Sequence, residues 1–503
     1  MGPPSAVILG VDVGTSSVKA AAFAPGSAWR RVAVREYPLL EPRPGYEVQD
    51  PDKIVSATAS AMTECVADAD GCEVLAVSLS AAMHGLLALD ERKRPLTPLV
   101  TWADARASEE ARDLQQLPRV AELRTRTGIP VHPMTPLTKL VWFARHEPAI
   151  WAAARWWVGL KDYLLAWLTG TLATELSSAS ATGLLDLSTR DWNALALETC
   201  GLSPDRLPPI LATTASLSIA PEAAHQIGLP AGTPVVAGAA DGPLANLGTG
   251  ALEPGVACLS LGTSGALRMA TDGPRLDELG MLFCYALTDQ VWVEGRAISN
   301  GASVLRWAGQ SLAPDVVASA GAAGADEAVL DLAASVDAGS DGLVMLPFLV
   351  AERAPLWGPS LHGAYLGLGR EHTRAHLLRA AVEGVCIQMR VILDRLVSVQ
   401  PVTSVRATGS AFRSRLWREV MAAALDRPLR VVEGAEGTAL GAAALGLFAL
   451  GRAPSLTDAM EQLAGPDHLQ PPPVAVPQDL IATYAHLRSM VPMLVDAIAR
   501  DFG

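Results

Sequence analysis

The chain opens with two short apolar runs separated by a polar turn. The run Val7–Val13 is rich in β-branched residues, the run Val18–Phe23 is also apolar, and Gly14-Thr15-Ser16-Ser17 lies between them. Apolar runs on either side of a glycine-containing turn predict two strands joined as a hairpin. Pro51–Ala67 predicts the first helix, because Asp50 is a favoured N-cap residue and proline fits the first helical position.

Hydrophobic periodicity predicts further elements in the first half of the chain. We expect a strand at Val74–Ser80, helices over residues 119–126, 135–146 and 150–167, and a turn-rich connector at Pro204–Ile210. The longest apolar run, Thr438–Leu450, is rich in Ala and Gly and too short to span a bilayer. We expect it to form a helix packed closely against a sheet.

The same pattern starts again in the middle of the chain. The expected elements there are a strand at Val235–Ala239, a helix opening at Asp241 and running to Gly248, a strand at Val256–Leu261, and the turn Gly262-Thr263-Ser264-Gly265. The segment 260–264 repeats the strand, turn and hydroxyl pattern of segment 12–16, about half the chain length further on. A single repeat of this kind predicts two copies of one architecture. Two glycines and a proline place the boundary near residues 245–255, which gives domains of residues 1–248 and 249–503.

Composition narrows the function. A chain of 503 residues predicts two to four domains, and 50% hydrophobic with 18% charged residues is globular composition. The formal charge of −13 argues against nucleic acid or an anionic membrane as the main partner. No charged segment followed by an apolar one opens the chain, so no targeting segment is predicted. The six cysteines form no CxxC pair, which predicts reduced thiols in a cytoplasmic protein rather than a zinc or disulfide framework.

The chemistry of the first turn suits phosphate. Gly14 lets the backbone approach a ligand, and Thr15, Ser16 and Ser17 offer hydroxyl and amide donors. Asp12, just before the turn, could hold Mg²⁺ through water, and Lys19 adds a positive charge. A β-hairpin with a polar turn is the plain alternative. The matching turn at Gly262 and Thr263 favours phosphate, since two such hairpins would grip a polyphosphate, whereas P-loop and Rossmann motifs are absent from the sequence.

Four segments resemble the FGGY carbohydrate kinase family, in the order in which that family has them. They are Met134–Trp142, Gly363–Glu383, Gly409–Ser414 with Trp417, and Gly437–Ala443. The resemblance covers nearly the whole chain. It implies two ribonuclease-H-like α/β domains of the actin and sugar-kinase type flanking a deep cleft, the N-terminal one binding sugar and the C-terminal one mainly ATP. It also implies a soluble kinase that uses ATP and Mg²⁺.

The resemblance assigns roles to particular residues. Asp241 matches the family's catalytic base, and a carboxylate at a strand end could accept the substrate hydroxyl proton, although it could also cap the helix that follows. Met83 and His84 match a sugar-binding loop. Trp102, Asp104 and Arg106 offer an apolar face and polar groups to a sugar, or else form a surface turn with an internal Asp–Arg pair. Nucleotide contacts are expected at Gly301, which could instead be a packing glycine, and at Gly409, Ser410 and Ser414.

Three stretches resemble gluconate kinases more than xylulose kinases. They are Thr101–Asp104, Thr127–Met134, and Ser180–Gly183 taken with Asp241–Gly248. A gluconate carboxylate needs a cation or several donors, and His132 and Lys161 are candidates. His132 could instead be a helix-entry histidine, and Lys161 a lysine common to the family. Arg296, Ser410 and Leu176 depart from the family pattern, which leaves substrate and nucleotide affinity open.

The sequence therefore predicts phosphoryl transfer from ATP to a hydroxyl of a small sugar acid or polyol, with D-gluconate and 6-phosphogluconate as substrate and product. Xylulose kinase or another pentulose or polyol kinase is the alternative within enzymes. A chaperone-like ATPase and a non-catalytic sugar sensor of the same fold are the alternatives outside that activity. The oligomeric state is not readable from these residues, and a homodimer is left open.

Overall fold

The computed structural model describes residues 4–69, 71–277, 280, 282–350, 352–353, 362–434, 436–476 and 478–501. The strands are β1 (Ala6–Val13), β2 (Ser17–Phe23), β3 (Arg30–Glu36), β4 (Val48–Gln49), β5 (Glu73–Ala81), β6 (Leu87–Leu89), β7 (Leu99–Val100), β8 (Trp156–Val158), β9 (Thr174–Glu175), β10 (Ile210–Leu211), β11 (Ser216–Ser218), β12 (Pro234–Ala240), β13 (Val256–Leu261), β14 (Gly265–Thr271), β15 (Phe283–Ala286), β16 (Trp292–Ile298), β17 (Val344–Leu346), β18 (Ala364–Leu366), β19 (Ser404–Thr408) and β20 (Leu429–Val431).

Helices alternate with these strands along the chain. The α-helices are α1 (Pro51–Ala67), α2 (Ser108–Gln115), α3 (Val120–Thr127), α4 (Pro136–His146), α5 (Pro148–Ala153), α6 (Leu160–Thr169), α7 (Leu176–Ser180), α8 (Ala194–Cys200), α9 (Pro221–Ile227), α10 (Asp241–Gly248), α11 (Ser303–Leu312), α12 (Pro314–Ala334), α13 (Arg374–Val399), α14 (Arg415–Leu425), α15 (Gly437–Ala449), α16 (Leu456–Ala464), α17 (Pro466–Leu469) and α18 (Gln478–Asp501). Short 3-10 helices occur at Pro204–Arg206, Ser340–Gly342 and Ser410–Arg413.

Two sheets of six strands dominate the described residues, and five strands of each follow the same order, with the sixth strand at opposite edges. The first has the order β11–β12–β5–β1–β2–β3 and the second β15–β16–β14–β13–β19–β20. In each, the hairpin β1–β2 or β13–β14 is antiparallel, while the next strands, β5 and β12 or β19 and β20, pair parallel. The two-copy architecture predicted from the repeated turns is therefore confirmed.

Contact density divides the chain into two compact units that are not continuous in sequence. The N-terminal unit comprises residues 1–252, 270–294 and 436–469, and the C-terminal unit comprises residues 253–269, 295–435 and 470–503. Two later segments thus pack with the first half of the chain.

Close helix-to-sheet packing builds the core of the N-terminal unit. The predicted helix at 438–450 is α15, and it lies so near β1 that a Cβ added to Gly10 would be 2.0 Å from the Ala439 carbonyl oxygen. A Cβ on Gly248 of α10 would be 1.7 Å from the Gly437 carbonyl oxygen. Backbones this close require glycine, and the Ala-rich face of α15 fills the rest of the interface. This packing fixes α10, the helix that Asp241 begins.

A buried polar network holds the C-terminal unit together. Glu383 of α13 accepts hydrogen bonds from Arg379 Nε (2.8 Å), from the Tyr484 hydroxyl of α18 (2.9 Å) and from the Ser340 hydroxyl (2.9 Å). Arg379 and Glu383 form a buried ion pair, so each charge is compensated. The glutamate that closes one of the family-like segments is therefore part of the internal structure.

Most of the predicted elements agree with the structure. Asp50 caps α1 by accepting from the amides of Asp52 (3.0 Å) and Lys53 (3.2 Å). The continuous helix predicted over 150–167 is wrong. Strand β8 interrupts it, because its aromatic and β-branched residues pair antiparallel with β6 and Gly159 then starts α6.

Within the described residues, no helix is long and apolar enough to cross a membrane. The cysteines are free thiols, and all except Cys72 are buried.

Candidate active site

Three parallel strands of the first sheet bring the predicted carboxylates together. Asp12 lies on β1 opposite Ser80 of β5, and Asp241 follows directly after β12, the other neighbour of β5. The Ser80 hydroxyl donates to Asp12 Oδ1 at 2.9 Å. Because the carboxyl ends of parallel strands share one edge of a sheet, residues separated by more than two hundred positions meet there.

The two carboxylates influence each other electrostatically. The pKa of Asp12 is raised to about 6, mainly by burial and then by the negative charge of Asp241, while the Ser80 hydrogen bond and the charge of Lys19 oppose the rise. Lys19 lies opposite Asp12 on β2. Excess negative charge at this edge of the sheet is the setting in which a divalent cation and a phosphate group are favourable together.

Asp241 is the first residue of α10. Its Oδ1 accepts from the Gly242 amide at 2.8 Å, so the side chain meets the positive end of the helix. The N-cap of α10 is Ala240, without a side-chain capping bond, so the capping alternative for Asp241 is wrong. Asp241 lies one position later, in the first turn of the helix, with its charge close enough to raise the pKa of Asp12. The helix start also fixes the orientation of the carboxylate.

Hydrogen bonds to its backbone make the first phosphate turn rigid. The Gly14 amide donates to the Ser17 carbonyl (2.9 Å), the Tyr37 hydroxyl to the Gly14 carbonyl (2.5 Å), and Gln49 Nε2 to the Thr15 carbonyl (2.6 Å). Since these bonds engage carbonyl oxygens, the polar groups left to face a ligand are mainly donors. Ser16, in the middle of the turn, is exposed.

Trp102 links the predicted sugar and phosphate residues. Its indole Nε1 donates to the Thr15 hydroxyl at 2.8 Å. The ring is half-buried, so one face of it can still contact a carbon chain. The sequence placed Trp102 among the sugar contacts and did not foresee its bond to the turn.

The Met83–His84 loop is held in a strained, well-anchored form. His84 has a positive φ of 65°, its Nδ1 lies 2.8 Å from the Ala181 carbonyl and its Nε2 lies 3.1 Å from the Tyr285 hydroxyl. An accepting carbonyl at Nδ1 requires the proton there, so in the neutral imidazole Nε2 is the acceptor and the Tyr285 hydroxyl the donor. Met83 is half-buried on the same loop.

Asp104 lies in the internal Asp–Arg pair that the sequence left open, although the pair is buried rather than on the surface. Arg106 donates to it from Nε (2.8 Å), Nη2 (2.8 Å) and its own amide (3.0 Å), and the Glu47 amide adds a fourth bond (2.8 Å). The Arg106 guanidinium also stacks over the rings of Tyr46 and Trp142. With 1% exposure, Asp104 supports the loop that carries Trp102.

Lys161 and His132 also have partners within the protein. Lys161 is buried in an ion pair with Glu175, which itself accepts from the amides of Ser177 and Ser178 at the start of α7. Burial lowers the pKa of Lys161, and Glu175 opposes that shift. His132 Nδ1 accepts from the Met134 amide at 3.2 Å, the local bond expected of a helix-entry histidine.

Several of these residues line one narrow cavity of about 40 Å³. It is bordered by Met83, His84 and Lys161, by Asp162, whose pKa burial raises to about 7, and by Thr182. The volume is close to that of a single water molecule. Lys161 and the Met83–His84 loop therefore border the same cavity.

The second phosphate turn belongs to the C-terminal unit and is fixed by the segment around Gly301. The Gly301 amide donates to the Thr263 carbonyl (3.1 Å), and the Ala302 amide donates to the Gly262 carbonyl (2.8 Å). A Cβ on Gly301 would lie 2.7 Å from the Gly262 carbonyl oxygen. Gly301 therefore packs directly against this turn, as the packing-glycine alternative has it.

The adenosine-like segment begins at a second constrained glycine. Gly409 has a φ of +116°, and a Cβ there would lie 2.2 Å from the Leu261 carbonyl oxygen, at the end of β13. Ser410 opens the following 3-10 helix, with its hydroxyl about 3.8 Å from the Cβ position of Gly262. Ser414 precedes α14 without a side-chain capping bond.

Sequence reasoning missed several residues that hold the site. Ser80, Glu175 and Tyr285 are ordinary polar residues in apolar surroundings, and only the tertiary structure pairs them with Asp12, Lys161 and His84. Glu352 was missed as well. Its carboxylate accepts from the Ser299 amide (2.6 Å) and from Asn300 Nδ2 (2.7 Å), which fixes the approach to Gly301.

Comparison with known proteins identifies the class. Residues 7–248 match the N-terminal domain, and residues 257–450 the C-terminal domain, of the FGGY family of carbohydrate kinases. The chain belongs to this family, and it is a phosphotransferase with an alcohol group as acceptor.

Particular relatives are named for two sugar substrates. The chain is 37% identical over 470 residues to gluconokinase of Bacillus subtilis (strain 168), covering 92% of this chain and 91% of that protein. It is 32% identical over 465 residues to xylulose kinase of Escherichia coli (strain K12), covering 90% and 92%. The crystal structure of gluconate kinase from Lactobacillus acidophilus superposes with a TM-score of 0.92 at 30% identity, covering 99% of both chains.

Proposed function

We propose that the protein transfers the γ-phosphoryl group of ATP to a hydroxyl of D-gluconate, giving 6-phosphogluconate. The observation that carries the chemistry is the position of Asp241 beside Asp12 at the end of parallel strands, where a substrate hydroxyl can meet both a base and a phosphate-binding turn. The higher identity to gluconokinase than to xylulose kinase supports the choice of acceptor.

Asp241 is the proposed general base. Its carboxylate accepts the proton of the acceptor hydroxyl as that oxygen attacks the γ-phosphorus, while the Gly242 amide holds the side chain in place. Catalysis of this kind consists mostly of positioning and charge stabilisation. A rigid base on a fixed helix start is suited to it.

Asp12 fits a Mg²⁺ ion bound together with nucleotide phosphates. Its pKa is raised mainly by burial and then by the negative charge of Asp241, and Ser80 orients one of its oxygens. The described residues contain no group of three or more His, Cys, Asp or Glu side chains able to hold a metal by themselves. Water and phosphate oxygens would therefore complete the coordination, as a hard cation prefers, and the ion would neutralise charge on the transferring group.

Both turns are proposed to bind phosphate oxygens of ATP. Gly14, Thr15, Ser16, Ser17 and Lys19 would act in the N-terminal unit. In the C-terminal unit the contacts would come from Gly262, Thr263, Gly301, Gly409, Ser410 and Ser414. The support for this proposal comes from each unit separately. The carbonyl oxygens of each turn already accept hydrogen bonds within the protein, which leaves donors for an anion.

The acceptor is proposed to lie against Met83, His84 and Trp102. Tyr285, which donates to His84, is a further candidate contact. Asp104 would contribute by holding the Trp102 loop through Arg106. Lys161 and His132 would favour an acidic acceptor. Lys161 would do so from the cavity that it borders together with Met83. ATP dependence also places the proposed activity in the cytoplasm.

Xylulose is the second candidate acceptor, because the pairing of Lys161 with Glu175 leaves little net positive charge for a substrate carboxylate. ADP release measured against gluconate, xylulose, ribulose and glycerol separates the candidates. We expect kcat/KM to be highest for gluconate. A tenfold higher value for xylulose would refute the choice of acceptor, and ATP hydrolysis that no acceptor accelerates would refute the kinase assignment.

A further inference from the structure

Lys139 joins the three segments on which the acceptor site depends. It lies on α4 with no exposed surface, and its ammonium donates to the carbonyls of His84 (2.8 Å), Thr101 (2.6 Å) and Met134 (2.8 Å). These carbonyls belong to the Met83–His84 loop, to the loop carrying Trp102, and to the segment after His132. No other contact described above reaches all three.

Hydrogen bonds to three carbonyl oxygens at this position require a lysine ammonium. Its three N–H groups match three carbonyl acceptors, whereas a neutral amine has two N–H groups and the planar fork of arginine has a different shape. The neighbouring charges are Asp104, which favours the ammonium, and Arg106, which opposes it, and burial lowers the pKa of Lys139 to about 7. A buried charge is tolerated here because every donor has a partner.

Neighbouring hydrogen bonds hold the same segments at further points. Thr138, one residue before Lys139, donates to the His132 carbonyl at 2.9 Å, so α4 holds the His132 segment at a second point. The Thr101 carbonyl also accepts from the Asp104 amide at 3.2 Å, which joins the Asp104–Arg106 pair to the same centre. When a single donor positions several loops, its loss allows all of them to move.

We propose that Lys139 is a positioning residue for the acceptor substrate, fixing the Met83–His84, Trp102 and His132 segments relative to one another. The proposal rests on the proposed function in so far as those segments bind the acceptor. Its effect should fall mainly on acceptor binding, because Lys139 is bonded directly to the acceptor segments and reaches the first phosphate turn only indirectly, through the hydrogen bond from Trp102 to Thr15. A displacement of about 1 Å in a positioning element can cost on the order of 100-fold in rate.

The test compares Lys139→Met with the matched change Lys53→Met on the exposed face of α1. We expect Lys139→Met to raise KM for the acceptor at least tenfold, to change KM for ATP less than twofold, and to leave acceptor-independent ATP hydrolysis unchanged. Lys53→Met should match wild type in all three. A matched rise in both KM values, or no rise in either, would overturn the proposal. The acceptor is whichever sugar the wild type uses best, so a wrong choice of gluconate does not affect the result.

Hydrogen–deuterium exchange gives a readout independent of activity. We expect residues 83–86, 99–106 and 130–135 to exchange faster in Lys139→Met than in wild type, with a smaller change in the first phosphate turn, which is linked to Lys139 only through Trp102. If wild-type protein turned over no sugar, the proposed function would be refuted. The exchange pattern would still test whether Lys139 holds the three segments together. Unchanged exchange in the three segments would overturn the proposal that Lys139 positions them. Failure of both Lys139→Met and Lys139→Gln to fold would also overturn it, because the lysine would then act on stability alone.

Discussion

Neutralising either carboxylate of the Asp12–Asp241 pair should stabilise the protein while harming catalysis. The pKa of Asp12 rises from 3.8 to about 6, a change of about two units, and one unit corresponds to about 1.4 kcal/mol. Because Asp12 is partly exposed, solvent screening reduces the resulting figure of about 3 kcal/mol. We expect Asp12→Asn, which keeps an oxygen for the Ser80 hydroxyl, to gain about 1–3 kcal/mol at pH 8 without Mg²⁺ or nucleotide.

The sign of the pH dependence follows from linkage. A carboxyl whose pKa is raised on folding binds more protons in the folded state, so the wild type loses stability as pH rises from about 4 through 6. Asp12→Asn lacks this loss. The stability that Asp12→Asn gains over the wild type should therefore be complete at pH 8 and nearly absent at pH 4.

Urea unfolding followed by tryptophan fluorescence, in EDTA, measures the effect for Asp12→Asn, Asp241→Asn and the double variant. Since the two charges repel each other, the double variant should gain less than the sum of the single variants. Strict additivity, or an Asp12→Asn variant less stable than wild type at pH 8, would refute the placement of the two charges side by side.

Two further predictions concern the turn at Gly262 and a buried acid. Gly301→Ala forces a Cβ to within 2.7 Å of the Gly262 carbonyl oxygen, so we expect about 1–3 kcal/mol of destabilisation and a KM for ATP raised about tenfold. Gly324→Ala, in α12, is the control, because its Cβ would make only an ordinary contact of 3.6 Å with the Cβ of Ala320. Equal behaviour of the two variants in ATP titrations would contradict the account. Burial raises the pKa of Glu294 to about 8, so the wild type should lose stability between about pH 4.5 and 8. Glu294→Gln should match it at pH 5 and exceed it at pH 8.5 in thermal melts, and parallel curves would show that the acid titrates normally.

Local sequence patterns predicted much of the fold and the local structure around several candidate site residues. The Asp50 cap, the glycine turns and the helix opening at Asp241 depend on neighbours in sequence, so they could be predicted residue by residue. The repeated turn predicted the repeated sheet for the same reason, since a hairpin and its turn form one local unit.

Side-chain pairing and chain excursions could not be predicted in this way. Lys161 has the right chemistry for a sugar acid, and only the tertiary structure reveals that Glu175 already pairs with it. The sequence offered the pairing of Asp104 with Arg106 as an alternative, but it could not tell that the pair is buried. Strand β8 was missed because its pairing partner, β6, lies far away in sequence. The return of residues 270–294 and 436–469 to the N-terminal unit has no local signature at all.

Single-turnover phosphoryl transfer by Asp241→Asn, with ATP binding measured on the same protein, tests the proposed chemistry most directly. Loss of a well-placed base typically costs on the order of 10²–10⁴ in rate. We predict a fall in that range for gluconate, with wild-type folding and an ATP dissociation constant within a few-fold of wild type. Transfer within a few-fold of the wild-type rate would contradict the role of Asp241 as the base.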